Sequence, residues 1–202
     1  MDKDILETSE IHLPPYLFPN ERKELFSELR RFPENRNYYL NPAIHTDFLQ
    51  GDCWKGFKLR DYRGGGLLDV KGIIISNSCD IDPANVTDKP RNVLFAPTIP
   101  MTKLAGMLSN TKSMGDIENF ISTVRKQEVT SIFYLPPYND ELNESIILLD
   151  NIYPMPSSAF CEAVGGEKKI AMLSQYGFYI FLVKLSIHFT RFQEGVHRFT
   201  PL

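Results

Sequence analysis

The chain has 202 residues with 22 Lys and Arg against 25 Asp and Glu, and its formal charge of −3 excludes a protein that holds nucleic acid through a basic tail. Apolar residues make up 43% and charged residues 23%, enough apolar surface for a core and too little charge for disorder. The three cysteines, Cys53, Cys79 and Cys161, contain no CxxC pair, which excludes a disulfide-stapled secreted scaffold and points to a reducing compartment.

Residues 1–10 alternate acidic and apolar side chains and have neither the basic nor the apolar region of a signal peptide. A Pro-rich extended stretch follows over 13–19. Asn20 then caps a predicted helix over 21–32, with Glu21 and Glu24 in its first turn, Arg30 and Arg31 in its last, and Leu25, Leu29 and Phe32 as its apolar stripe. Pro33 stops it. Residues 1–46 read as an N-terminal extension.

From Asp47 the pattern turns to strands. Residues 48–57 form a predicted first strand, 60–66 a polar, Gly-rich connection and 70–77 a second strand, whose run of Ile73, Ile74 and Ile75 suits burial on both faces. Asp82-Pro83 ends it, and a third strand spans 92–96 between Pro90 and Pro97. A helical insert near 103–128 follows: Ile117, Phe120, Ile121 and Val124 share one face of a helix over 116–127 that Ser113 or Asp116 caps. Two more strands cover 129–135 and 145–149. Helical spacing of Leu173, Tyr176, Ile180, Val183 and Ile187 predicts one long helix over 167–191.

The most apolar window, 178–183, is far short of the roughly 20 residues that span a bilayer, so the chain reads as a cytoplasmic protein away from membranes. The fold class is mainly β with helical decorations: a five-stranded, mostly antiparallel small barrel forming one domain over 47–202. The alternative is an open α+β sheet with helices over one face.

Leu49-Gln50-Gly51-Asp52-Cys53-Trp54 opens the sheet, a Gly-rich loop follows, and Gly72-Ile73-Ile74-Ile75-Ser76-Asn77 comes next. Val93-Leu94-Phe95-Ala96-Pro97-Thr98 and Ser145-Ile146-Ile147-Leu148-Leu149-Asp150-Asn151-Ile152 complete the series ahead of a terminal helix. This order resembles the PemK/MazF toxin family, over roughly residues 49–185. The resemblance implies an SH3-like barrel and an endoribonuclease held inactive by an antitoxin, with RNA, an antitoxin or other protein, and a second copy as partners. It implies no cofactor and no metal. Thr98 stands within one position of the family's catalytic Thr or Ser. Where the family carries an Arg that stabilises charge on the scissile phosphate, this chain has Val70-Lys71-Gly72. Lys71 keeps the charge without the bidentate fork, and Arg60 or Arg63 in the preceding loop offers a substitute.

Ser76-Asn77-Ser78-Cys79-Asp80-Ile81-Asp82 places a thiol, carboxylates and hydroxyls where a strand ends, and the segment is expected to line a concave site that brings Asn77, Cys79 and Asp80 near Thr98. A nucleophilic Cys79 needs a neighbouring His or positive charge, and the flanking Asp80 and Asp82 supply neither. A metal reading joins Cys79 with Cys53 and His45. The simplest reading is a small buried Cys79 in a turn folded by Asp80 and Asp82. Near the C-terminus His188, Arg191, His197 and Arg198 alternate with Phe189, Phe192 and Phe199, which suits single-stranded nucleic acid, although cations also complement a helix C-terminus. Trp54 reads as a core residue. Gly64-Gly65-Gly66 lacks the Lys-Ser/Thr of a phosphate loop.

Three functions follow. The first is a toxin-like RNA-binding or RNA-cleaving protein in which Arg63 or Lys71 stabilises charge and Thr98 positions it. The second is a catalytically inactive barrel serving as an interaction module. The third is a metal-assisted hydrolase centred on Cys79 and Asp80.

Overall fold

Ile73, Ile74 and Ile75 are all buried, and alternate members enter two different cores, as a strand covered on both faces requires. The computed structural model describes residues 38–44, 47–61, 64–85, 91–164 and 169–190, so the helix expected over 21–32 lies outside the described residues. Ile73 and Ile74 end strand β3 (Leu67–Ile74), which pairs antiparallel with β2 (Cys53–Arg60) and β4 (Asn92–Pro100). With β1 (Tyr39–Leu40), β5 (Ile132–Leu135), β6 (Ser145–Leu148), β7 (Tyr153–Pro156) and β8 (Lys169–Leu173) they build one antiparallel eight-stranded sheet. Its order is β1-β8-β2-β3-β4-β6-β5, with β7 on a separate stretch of β4. The mainly β expectation therefore holds: the sheet curls into half a barrel.

Five α-helices decorate it among the described residues: α1 (Ser78–Ile81), α2 (Met101–Leu108), α3 (Met114–Arg125), α4 (Ser157–Val164) and α5 (Gln175–Thr190). One core packs α5 residues Tyr176, Ile180 and Phe181 on Cys53, Ile73, Ala96 and Phe133. The opposite face buries Trp54, Phe57, Ile74 and Phe95 with Phe160 and Val164 of α4. Met101 and Leu104 of α2 and Val124 of α3 meet Ile132, Tyr134 and Ile146 in a third cluster. No helix among the described residues is long and apolar enough to cross a membrane.

Several boundaries differ from the sequence expectation for local reasons. The first strand starts at Cys53, because residues 49–52 form a turn with Gly51 at φ +86° and the Asp52 N–H donating to the Leu49 carbonyl. The expected helix over 167–191 is instead β8 followed by α5. Ser174 separates them: its hydroxyl accepts the Gly177 N–H at 3.2 Å, the bond of a helix N-cap, while its own N–H donates to Tyr38. The insert holds two helices rather than one. In α3, Ser113 is the cap, accepting the Asp116 N–H at 3.3 Å and donating to the Asp116 carboxylate at 2.6 Å. Strands β1 and β7 and helices α1, α2 and α4 had no counterpart among the expected elements.

The two ends of the sheet are tied to each other by side chains. Tyr38, just before β1, donates its hydroxyl to the Tyr134 carbonyl on β5 at 3.1 Å, and Tyr39 donates to the Pro136 carbonyl at 2.8 Å. Gln127 completes the link. Its amide accepts the Tyr134 N–H and donates both to the Tyr134 carbonyl and to the Tyr38 hydroxyl. Tyr39 and Leu40, which fall in the stretch read from sequence as an extension, are thus part of the sheet, and Tyr38 is fastened to it.

Candidate functional site

Residues 76–82 form a turn whose polar groups are largely spent on holding it. Asn77 accepts the Cys79 N–H through Oδ1 at 2.9 Å and caps α1, the Ser76 hydroxyl accepts the Leu94 N–H, and Ser78 accepts the Gln50 N–H. Asp82 accepts the Ala84 N–H, the turn role expected of it. Asp80 does not share that role. It is exposed, its own N–H donates to the Asn77 carbonyl, and Arg91 reaches its backbone oxygen rather than its carboxylate. Cys79 is exposed as well, which corrects the buried-thiol reading.

Beside this turn lies a concavity of about 260 Å³ lined by Asp47, Phe48, Leu49, Ser78, Cys79, Asp82 and Pro83. Among the described residues its lining includes Cys79 but neither Asp80, Thr98 nor any cation. Of the metal grouping, Cys53 and Cys79 stand in different surroundings. Cys53 is fully buried in the first core, where burial and the neighbouring Asp52 push its thiol up, while Cys79 faces solvent. His45 lies outside the described residues. Among the described residues no three His, Cys, Asp or Glu side chains are grouped to hold a metal.

Lys71 and Thr98 do come together. A bulge at Gly56, with φ +102°, shifts the β2 register so that Lys55 faces Lys71 while Phe57 turns to the opposite core. Cys53, Ile73 and Ala96 form a cross-strand row in the first core, and Lys55, Lys71 and Thr98 stand two residues further along the same three strands. A polar row thus adjoins the apolar one on a single face. The Thr98 hydroxyl donates to the Lys71 carbonyl at 3.3 Å. Glu141, from the loop between β5 and β6, accepts from Lys55 at 2.9 Å and from Lys71 at 2.8 Å. The two ammoniums hold its carboxyl down at about 2, so it is ionised at neutral pH.

The other candidates stand elsewhere. Arg60 is exposed at the far end of β2, five residues past Lys55 and so roughly 16 Å away along the strand. His188 occupies the last turn of α5 with its ring edge-on to Phe189, and its Nδ1 is buried without a hydrogen-bond partner among the described residues. Arg63, Arg191, His197 and Arg198 lie outside the described residues. Trp54 is a core residue as expected, 5% exposed.

Sequence reasoning missed Lys55 and Glu141, whose association depends on a bulge and on a loop 86 residues away. It also missed the buried ion pair of Asp52 and Lys169 at 2.7 Å. Gly51-Asp52 had been noted as a motif, but nothing local points to Lys169 as its partner. The chain matches no protein-family model, and no curated protein matches it.

Proposed function

We propose that this chain is an RNA-binding protein of the PemK/MazF type that holds RNA without cleaving it through Lys71 and Thr98. The observation that carries the reading is the row of Lys55, Lys71 and Thr98 on one sheet face, where the order of the sequence motifs calls for a phosphate-contacting cation beside a hydroxyl. Cleavage through a 2′-hydroxyl needs a group that takes up its proton. The carboxylate at this row, Glu141, is engaged by two ammoniums, and Thr98 already donates its proton to a backbone carbonyl. Lysine ammoniums remain suited to backbone phosphates as point charges. An antitoxin-like protein partner and a homodimer belong to the same proposal.

Incubating the purified chain with mixed-sequence single-stranded RNA, with and without chelator, tests it. The expected result is salt-sensitive retention of intact RNA. Chelator-resistant cleavage would support the nuclease reading instead, metal-dependent turnover the Cys79–Asp80 hydrolase, and absence of both binding and cleavage would overturn the RNA reading and leave the protein-interaction module.

A further inference from the structure

Lys55 and Lys71 are direct cross-strand partners. Like charges set opposite each other on one sheet face repel, and an anion between them reverses the sign of the interaction. The anion here is the protein's own. Glu141 offers Oε1 to Lys55 and Oε2 to Lys71, and its backbone carbonyl accepts a further bond from Lys71 at 2.5 Å. Two oxygens on one centre, each met by a separate ammonium, is an arrangement that the two non-bridging oxygens of a phosphodiester reproduce, and that a terminal phosphate reproduces with more charge and with oxygen to spare.

The three side chains are 40–46% exposed, so the place is open to solvent, and ion pairs this exposed are weakly held. Glu141 can leave by side-chain rotation alone. Its loop is pinned independently: Leu142 is buried, Asn139 accepts the N–H groups of both Glu141 and Leu142, and the Asn139 amide donates to the Ile170 carbonyl at 2.9 Å.

We propose that Lys55 and Lys71 form a seat for a phosphoryl anion, and that Glu141 fills this seat in the resting protein and is displaced when a phosphate-bearing ligand binds. The internal carboxylate sets a threshold, because an incoming group must outcompete a tethered anion that never diffuses away. Multiply charged groups such as pyrophosphate meet that threshold singly, and an RNA backbone, whose phosphodiesters carry one charge each, meets it through several neighbouring phosphates, whereas simple monovalent anions do not. The phosphoryl group comes either from an RNA backbone, in which case the inference rests on the RNA-binding reading, or from a small free anion, in which case it stands apart from it.

The test compares wild type, Glu141→Gln and the double variant Glu141→Gln/Lys71→Ala, each as the full chain. Inorganic pyrophosphate is titrated by calorimetry and labelled mixed-sequence single-stranded RNA by fluorescence anisotropy. Glu141→Gln is expected to tighten pyrophosphate binding about tenfold or more, and Lys71→Ala in that background to remove the gain. A parallel gain for RNA assigns the seat to the nucleic-acid backbone. A gain for pyrophosphate alone supports the seat while counting against the RNA reading. Unchanged pyrophosphate affinity in a folded Glu141→Gln protein overturns the proposal. Should that variant fail to fold, nitrogen NMR of the lysine ammoniums in wild type decides: pyrophosphate must shift both Lys55 and Lys71, and unmoved signals overturn the seat.

Discussion

Asp52 and Asp80 are the same residue type in opposite circumstances. The Asp52 carboxylate is 2% exposed and paired at 2.7 Å with Lys169, itself 6% exposed, whose ammonium also donates to the Asp47 carbonyl and lies over the Trp54 ring. Breaking such a pair leaves a charge buried without its counter-ion, so Asp52→Asn should cost about 3–5 kcal/mol in urea denaturation. Asp80→Ala should change stability by less than about 0.5 kcal/mol, because an exposed carboxylate outside the turn's bonds is lost without orphaning a buried group. A large loss for Asp80→Ala would restore it to the turn. Lys184 presents the reverse problem, a buried cation facing carbonyls. It donates to the Gln127 and Val129 carbonyls, and burial pushes its ammonium down from 10.5 to about 8. Between these values the unfolded chain binds more protons than the folded one, so this group makes stability rise with pH from about 8 to 10.5, and the gain is absent below pH 8. The buried Cys53 thiol titrates the opposite way from about pH 9, when the unfolded chain starts to lose its proton. The difference between wild type and Lys184→Met isolates the lysine. That difference should move in favour of wild type by on the order of 1 kcal/mol between pH 8 and 9, and a pH-independent difference would show that Lys184 is not desolvated as described.

Among the elements, β5 illustrates how an edge strand is finished. One side of it pairs with β6, and the outward N–H and C=O of Tyr134 are taken by the side-chain amide of Gln127. A single glutamine thus stands in for a neighbouring strand, and an edge that would otherwise recruit another chain is closed. Gln127 adopts φ +60° to do so, a left-handed conformation that costs a non-glycine residue about 1–2 kcal/mol. Gln127→Ala should therefore lower stability by about 1–3 kcal/mol through the unpaired Tyr134 groups, and should raise self-association in light scattering. Gln127→Gly loses the same bonds but relaxes the backbone, and should be the milder variant by about 1 kcal/mol. Equal stability of wild type and Gln127→Ala would mean that water serves Tyr134 equally well. The same contrast marks what sequence could reveal. The run of three isoleucines at the end of β3, two inside it and one just past it, and the spacing of Ile117 and Val124 in α3 are local patterns, and both were legible. In Lys169–Leu173 the apolar residues also fit the helical spacing that continues through Tyr176 and Ile180, so β8 was absorbed into a helix; only its partners β1 and β2 make it a strand. At the site, Lys71 and Thr98 were singled out by the order of the motifs, and their nearness follows from β3 and β4 being neighbours. Lys55 and Glu141 were not, since one depends on a bulge and the other on loop closure over a long span.

At the scale of the whole molecule, the half-barrel is a sheet whose first and last strands are far apart in hydrogen-bond order yet joined through tyrosine hydroxyls. Tyr38 is central to that join. Its ring is 3% exposed, stacks with Phe133 at 6.3 Å and meets Tyr176 of α5 edge-on at 6.2 Å. Its hydroxyl bonds the Tyr134 carbonyl and the Gln127 amide, and its carbonyl accepts the N–H of Ser174 at the start of α5. One residue therefore links β1, β5, the Gln127 turn and the C-terminal helix. Removing only the hydroxyl keeps the ring packing and isolates the closure. Tyr38→Phe should cost about 1–3 kcal/mol, because the Gln127 amide loses an acceptor in a buried setting. The distribution of the effect separates closure from a local bond. If the hydroxyl fastens the two ends of the sheet, amide hydrogen exchange should speed up together at β5 and at β8, the strand that carries β1, while the centre of the sheet around Ile73 and Phe95 stays protected. Acceleration confined to Tyr134 and Gln127 would reduce the tyrosine to a local hydrogen bond and leave the curl of the sheet to its packing on α5.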